Sequence, residues 1–258
     1  MNKFGTLYLA PAPLDFGCEP PLPAITDVLP LRTLQHMARI QYWICENAKT
    51  QRALLKRVDE VVPLSHPIQE CHIAVLPRSA HKKGDHVPGQ VNAQEALALL
   101  QPALQGHDIA LASEAGLPAI ADPGSSIVRA AHAAGIQVIP LTGPCSLLLA
   151  LAASGLNGQN FAFIGYLPQD AGERTLRLRQ LEQLAHKTQQ SQIWIETPYR
   201  NLQVLEHACQ TLQPQTRLSI ACGLTLQSMQ IHSMTIAQWR KNPVTLPAKM
   251  PAVFTMGA

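Results

Sequence analysis

The chain has 258 residues, 47% of them hydrophobic and 14% charged, with a formal net charge of +3. That length suits one large or two medium domains of about 100–200 residues each. So small a charge says little about partners, since a protein that held nucleic acid by counterion release alone would usually be more basic, and the apolar run Leu147–Ala153 falls far short of the roughly 20 residues a membrane-spanning helix needs.

Met1–Ala10 lacks the basic-then-apolar order of a signal peptide, and Phe4–Ala10 is predicted as a first strand. Pro11, Pro13, Pro20, Pro21 and Pro23 then impose a long irregular loop. Within Leu34–Cys45 a helical start gives way to a strand at Tyr42–Cys45, and Lys49–Val58 is amphipathic at helical spacing. His72–Leu76 reads as a strand, and Pro77–Gly89, rich in His, Lys, Gly and Pro, as a surface loop. A helix over Ala93–Leu104 ends at Gly106, and a buried strand follows at Asp108–Ala112. Ser125–Ala134 is helical and stops at Gly135, a residue suited to the left-handed helix end; Ile136–Leu141 is again a buried strand.

Helices at Ser146–Ser154, Glu173–His186 and Leu202–Thr211 then alternate with strands at Phe161–Gly165, Gln192–Glu196 and Leu218–Cys222, and Pro251–Met256 closes the chain as a strand. This alternation predicts an α/β protein with parallel or mixed sheets. The break falls between Leu141 and Pro144, giving an N-terminal α/β domain over 1–141 and a C-terminal one over 142–258. Cys18, Cys45, Cys71, Cys145, Cys209 and Cys222 include no CxxC pair and read as buried, reduced thiols of a cytoplasmic protein. His66, His72, His81 and His86 match no ligand spacing, so no metal is expected.

Two strand-to-helix turns carry the candidate chemistry. In the first, Ser113 to Gly124, a buried strand breaks into Gly116, Pro118, Pro123 and Gly124 before a helix, with Glu114 and Asp122 as its charges. Ligands of α/β sheets bind beyond strand carboxyl ends, and small residues let them reach the backbone. A tight structural turn, with Asp122 as helix cap, explains the same residues. The second turn is Thr142-Gly143-Pro144-Cys145-Ser146. Neither is the dinucleotide GxGxxG nor the phosphate-gripping GxxxxGK[ST], which suits a nucleotide-type cofactor without a large phosphate group.

The series from Ser113 to Gly124, then Gly143-Pro-Cys-Ser146 and Ala153-Ser-Gly-Leu156, resembles the tetrapyrrole-methylase superfamily, and most of all its branch of small-subunit rRNA ribose 2′-O-methyltransferases. Gly5-Thr-Leu-Tyr-Leu-Ala-Pro11, Glu46-Asn-Ala-Lys-Thr-Gln-Arg52, Phe161 to Pro168 and Ile195-Glu-Thr-Pro-Tyr-Arg200 match in family order. The resemblance implies two α/β domains with S-adenosyl-L-methionine in the cleft between them, a homodimer, and methylation of an rRNA (cytidine) ribose. It implies cofactor contacts at Pro11, Leu117, Ile120, Ala121, Cys145 and Ser146, with adenine lined by Glu196, Leu224, Pro251 and Ala252. The chain departs from the pattern in the first loop, where the branch has a Pro-Ile-Gly-Asn-Leu-like turn. It departs again at Ala221-Cys-Gly-Leu-Thr225, where the family's Arg-Glu-Leu-Thr is lost.

Methyl transfer to a hydroxyl benefits from a base that takes its proton. Glu46 and Glu114 are the candidates; a solvated carboxylate or a helix cap is the plain alternative for each. Lys49, Arg52 and Lys56 fall on one helical face, Arg174 pairs with Arg177, and Arg200 follows a turn, so an RNA substrate would find phosphate partners there. Tyr199 would stack on a base of such a substrate, with ordinary packing as the plain and commoner alternative. A carboxylate-rich tetrapyrrole precursor would welcome the same cations, and a degenerate module that only binds the cofactor also fits the altered loops.

Overall fold

A computed structural model of the chain describes residues 4–15, 17–18, 20–77, 85, 93–247 and 250–258. The chain divides into two compact units: Met1–Phe16 with Pro23–Pro144, and Gly17–Leu22 with Cys145–Ala258.

The first unit holds a five-stranded parallel sheet of β1 (Thr6–Ala10), β2 (Tyr42–Cys45), β3 (His72–Val75), β4 (Ile109–Ala112) and β5 (Gln137–Pro140), in the order β3-β2-β4-β1-β5. The central strand β4, Ile-Ala-Leu-Ala, is buried at every residue, whereas the edge strands β3 and β5 are exposed at both ends. A parallel strand covered on both faces reads as a continuous apolar run for this reason. One face packs on α1 (Ile25–Val28), α2 (Leu31–Met37) and α3 (Ala48–Asp59), with Ile25, Leu34, Met37, Leu55 and Val58 meeting Trp43, Ala110 and Ala112. Trp43 is in register with Ala110, so the largest side chain of the sheet lies beside one of the smallest. The other face packs Leu7, Ile44, Ile109 and Leu111 on α4 (Ala93–Leu99), α5 (Gln101–Leu104) and α6 (Ser125–Ala133).

The predicted helix over 93–104 is thus two helices. Pro102 lies in the first turn of α5 and has no N–H to continue a ladder, and Leu100 before it sits at φ −89°, ψ 0°. The proline-rich first loop also contains a helix the sequence did not signal, α1. Of the 77–89 stretch, residues 78–84 and 86–89 lie outside the described residues, and His81 and His86 with them.

The second unit contains β6 (Phe161–Phe163), β7 (Ser191–Glu196), β8 (Arg217–Cys222), β9 (Gln230–Thr235) and β10 (Ala252–Gly257), in the order β6-β7-β10-β8-β9. Only β6 and β7 are parallel; the pairs β7–β10, β10–β8 and β8–β9 are antiparallel. Trp194 and Phe254 stack across β7 and β10 with ring centroids 5.3 Å apart and planes 10° apart. They join a core with Leu178 and Leu181 of α8 (Ala171–Thr188), Val204 and Ala208 of α9 (Asn201–Thr211), and Trp239 of α10 (Ile236–Lys241). The helix α7 (Ser146–Ser154) packs against β8, β9 and β10, and Ser233 Oγ donates to its Ser154 carbonyl at 2.6 Å.

Trp194 is fully buried in this core. Trp194→Ala should cost about 3–5 kcal/mol in chemical denaturation; a cost below about 1 kcal/mol would contradict the packing described.

Candidate active site

The strands β1, β2, β4 and β5 end together, since Ala10 and Cys45 both pair with Ala112 and Leu9 pairs with Pro140. Pro11, Glu46, Ser113 and Leu141 therefore begin the loops of one sheet edge, where α/β sheets bind ligands. Ala12 and Gly116 bind each other reciprocally, N to O at 2.9 Å and 3.0 Å, which fastens the first loop to the 113–124 turn. Gly143 lies so close to Pro11 that a Cβ on it would stand 2.3 Å from the proline Cβ. Asp15 secures the first loop from the other side through a 2.8 Å ion pair with Arg57 of α3, and Arg57 also donates to the Pro23 carbonyl.

The turn itself is strained. Ala119 and Ala121 both adopt φ of 64°, a left-handed conformation that costs about 1 kcal/mol or more for a residue with a Cβ. Leu117 is half-buried, Ile120 is 46% exposed and Ala121 is exposed, so small apolar surface and backbone face outward here. Ser113 Oγ is buried without a hydrogen-bond partner.

Three carboxylates gather at this edge. Glu46 follows β2, Glu114 follows Ser113, and Asp122 lies late in the turn. Thr50 Oγ1 sits 2.9 Å from the Asn47 carbonyl and 3.2 Å from Glu114 Oε1, sharing its one proton between them. Burial first, then the charges of Glu46 and Glu114, pushes the Asp122 carboxyl up to about 7. A carboxyl that titrates near neutrality is suited to taking and giving protons. Sequence reasoning offered Asp122 only as a helix cap, but the α6 cap comes from elsewhere, from Asp85. The signal lay in the spacing of Glu114 and Asp122 across a turn that doubles back.

In the second unit, Glu196, Ala252 and Cys222 lie side by side across β7, β10 and β8. Leu224 follows in a tight turn where Thr225 has φ 72° and Leu226 N bonds the Gly223 carbonyl at 2.9 Å. Asn201 Nδ2 donates to the Met250 carbonyl at 2.8 Å, just before Pro251. Thr197 Oγ1, Asn201 Oδ1 and Thr225 Oγ1 are buried there without partners, and such atoms ordinarily find one. Cys145 is the N-cap of α7 and offers no side-chain cap, and both it and Ser146 are half-buried.

The expected cations separate into two groups. Lys49, Arg52 and Lys56 are exposed on α3 and line a groove of about 510 Å³ with Ala53, Ile68 and Gln69. Arg174 and Arg200 are buried instead, at 2% and 8% exposure. Arg174 Nη1 donates to the carbonyls of Pro168 and Gln169, and Arg200 Nη2 to those of Leu167 and Pro168. Both guanidinium groups are thus given to the loop after β6, a structural task in place of the phosphate contact expected from sequence. An arginine only donates, so its 3.1 Å contact makes His207 Nδ1 an acceptor and leaves Nε2–H to bond Thr175 Oγ1 at 2.7 Å. Burial, then the Arg174 charge, lowers the His207 pKa and keeps this neutral tautomer. Glu196 pairs with Arg200 at 3.3 Å, yet burial still holds its carboxyl above the usual range. Tyr199, beside Arg200, is 81% exposed. Among the described residues no cluster of His, Cys, Asp or Glu is arranged to hold a metal, and no helix is long and apolar enough to cross a membrane.

Residues 31–239 match the family described as tetrapyrrole (corrin/porphyrin) methylases. The ribosomal RNA small subunit methyltransferase I of Vibrio cholerae is 35% identical over 145 residues, covering 56% of this chain and 49% of that protein. Its counterpart in Mesorhizobium japonicum is 31% identical over 217 residues, covering 84% of this chain and 65% of that protein. The chain thus spans about half the length of the first of these curated relatives. Among solved structures, the methyltransferase CobJ aligns with TM-score 0.54 and 18% identity over 98% of this chain and 94% of that one. The uroporphyrin-III C-methyltransferase of Thermus thermophilus complexed with S-adenyl homocysteine aligns with TM-score 0.53 and 14% identity over 98% and 97%. At these identities the two structures speak for the fold.

The Asp122 carboxyl has a stability consequence. Its pKa rises on folding from 3.8 to about 7, so the folded state binds the extra proton in that window and stability falls as pH rises through it. Asp122→Asn should therefore raise the thermal unfolding temperature at about pH 8, with the gain vanishing near about pH 4. A gain independent of pH would contradict the raised pKa.

Proposed function

The chain belongs to the tetrapyrrole (corrin/porphyrin) methylase family, and on that premise we propose that it is an S-adenosyl-L-methionine-dependent methyltransferase acting on a ribose 2′-hydroxyl of small-subunit ribosomal RNA. The observation that carries the reading is the strained, small-residue turn over 113–124, fastened to the first loop by the Ala12–Gly116 bridge. The names of the relatives support the RNA substrate, as does the basic groove of Lys49, Arg52 and Lys56.

The residues present suit this cofactor. In the first unit the backbone at Gly116 and the buried, unpartnered Ser113 Oγ supply polar groups without charge, and in the second unit, taken by itself, Thr197 Oγ1, Asn201 Oδ1 and Thr225 Oγ1 are of the same kind. Pro11, Leu117, Ile120 and Ala121 would hold it from the first unit, Cys145 and Ser146 from the start of α7, and Glu196, Leu224, Pro251 and Ala252 would line the adenine. The bound sulfonium supplies a methyl group that is already activated. Positioning then provides much of the rate, and one carboxylate of the group Glu46, Glu114 and Asp122 takes the single proton of the attacking hydroxyl. Lys49, Arg52 and Lys56 hold phosphates and fix the RNA. Arg174 and Arg200 act at one remove, by shaping the 165–170 loop. The enzyme works in the cytoplasm as a homodimer; Leu148 and Leu149, exposed on the charge-free helix α7, support a covering partner.

Calorimetry with S-adenosylmethionine followed by transfer of labelled methyl to small ribosomal subunits tests the reading. The label is expected in RNA, at a linkage that resists alkali because the 2′-oxygen is blocked. Absence of both binding heat and a thermal shift removes the cofactor, and label on a precorrin mixture instead of RNA removes the substrate. Lys49→Glu with Arg52→Glu should weaken RNA binding and lower the logarithmic salt dependence by about 1 for each phosphate no longer neutralised, with cofactor affinity unchanged; an unchanged salt slope would remove the groove from the RNA path.

A further inference from the structure

Helix α6 does not cap itself. Its N-cap is Gly124, which has no side chain, and a Cβ there would stand 2.8 Å from Leu111 Cδ2 and 3.3 Å from Ala119 N, on a backbone with φ +139°. The missing cap arrives from 39 residues upstream. Asp85 is 2% exposed; its Oδ2 accepts from Gly124 N at 2.8 Å, Ser126 N at 2.9 Å and Ser126 Oγ at 2.6 Å, and its Oδ1 from Ser125 Oγ at 2.8 Å. Arg129, a turn further along α6, donates to the Asp85 carbonyl at 2.6 Å. Burial raises the Asp85 carboxyl, but the bonds from Ser126, Ser125 and Gly124 outweigh it and leave the pKa below its ordinary value, so the group stays charged. A negative charge at a helix N-terminus is stabilised by the helix dipole.

The place of this anchor is what matters. Gly124 directly follows Asp122 and Pro123, and the left-handed residues Ala119 and Ala121 precede them. Ala119 is folded back against Gly124, with its N 3.3 Å and its Cβ 3.4 Å from where a Cβ on Gly124 would stand. Fixing Gly124 therefore fixes the far end of the strained segment, while the Ala12–Gly116 bridge fixes the near end. Left-handed alanines persist only where their surroundings over-determine them.

We propose that Asp85 is a positioning residue for cofactor binding: its carboxylate clamps the end of the 113–124 turn and so holds residues 117–121 in the conformation that receives S-adenosylmethionine. This rests on the methyltransferase reading above. It also gives one residue of the 77–89 stretch, expected only to be surface loop, a part in the site.

The test is calorimetry of the full chain with S-adenosylhomocysteine for the parent, Asp85→Ala and Asp85→Asn, with and without added sodium formate. Asp85→Ala is expected to weaken binding by about tenfold, near the upper range for a lost cap, with Asp85→Asn between it and the parent. Formate, a free carboxylate that fits a helix N-terminus, should restore much of the loss in the alanine variant and none in the parent. In turnover, KM for the cofactor should rise more than kcat falls. A folded alanine variant that binds as tightly as the parent overturns the proposal, as does formate that raises its thermal stability without restoring affinity. Should the alanine variant not fold, parent-like affinity in Asp85→Asn overturns it in the same way. A parent that does not bind sinks the methyltransferase reading and this inference together; a parent that binds beside an equally tight variant sinks this inference alone.

Discussion

The first unit depends on how closely three chain segments meet at one sheet edge. Pro11 leaves β1, Gly143 leaves β5, and no side chain fits between them. The Ala12–Gly116 bridge then adds the turn after β4 to the same knot. A parallel sheet brings strand ends to one edge by topology alone, but their loops ordinarily diverge. Here backbone bonds, a glycine without room for a Cβ, and the Asp15–Arg57 ion pair hold them as one surface.

That surface is kept at some cost to stability. Two alanines sit in the left-handed region, and Asp122 stays beside two other carboxylates with its pKa near neutrality. Strain and unfavourable charge of this kind concentrate at functional sites because the surrounding fold tolerates them there. In the second unit Arg174, Arg200 and the neutral His207 fasten a loop, while Thr197 Oγ1, Asn201 Oδ1 and Thr225 Oγ1 are buried without hydrogen-bond partners.

Most of the strand–helix alternation was legible because buried parallel strands such as Ile109–Ala112 are continuous apolar runs. The strand Gln230–Thr235 was not, since every residue is half-buried and the sequence Gln-Ile-His-Ser-Met-Thr shows no clean alternation; its register is set by β8. The helix α10 after it carries a capping box, Thr235 with Gln238, whose spacing is visible in the sequence. In the site, glycine and proline marked both turns. Charge was harder: Arg52 and Arg174 look alike in sequence, yet one is exposed and the other is buried against loop carbonyls. Asp85 was out of reach, because a cap supplied from a distant segment leaves no local pattern.

The central claim is that the knotted edge exists before the cofactor arrives and receives it. Amide hydrogen exchange of the full chain, with and without S-adenosylhomocysteine, tests this most directly. The amides of Ala12 and Gly116 should exchange slowly in the free protein, and those of residues 117–124 should slow further when the ligand is added. Rapid exchange at Ala12 and Gly116, or protection by the ligand that leaves 117–124 untouched, would contradict it.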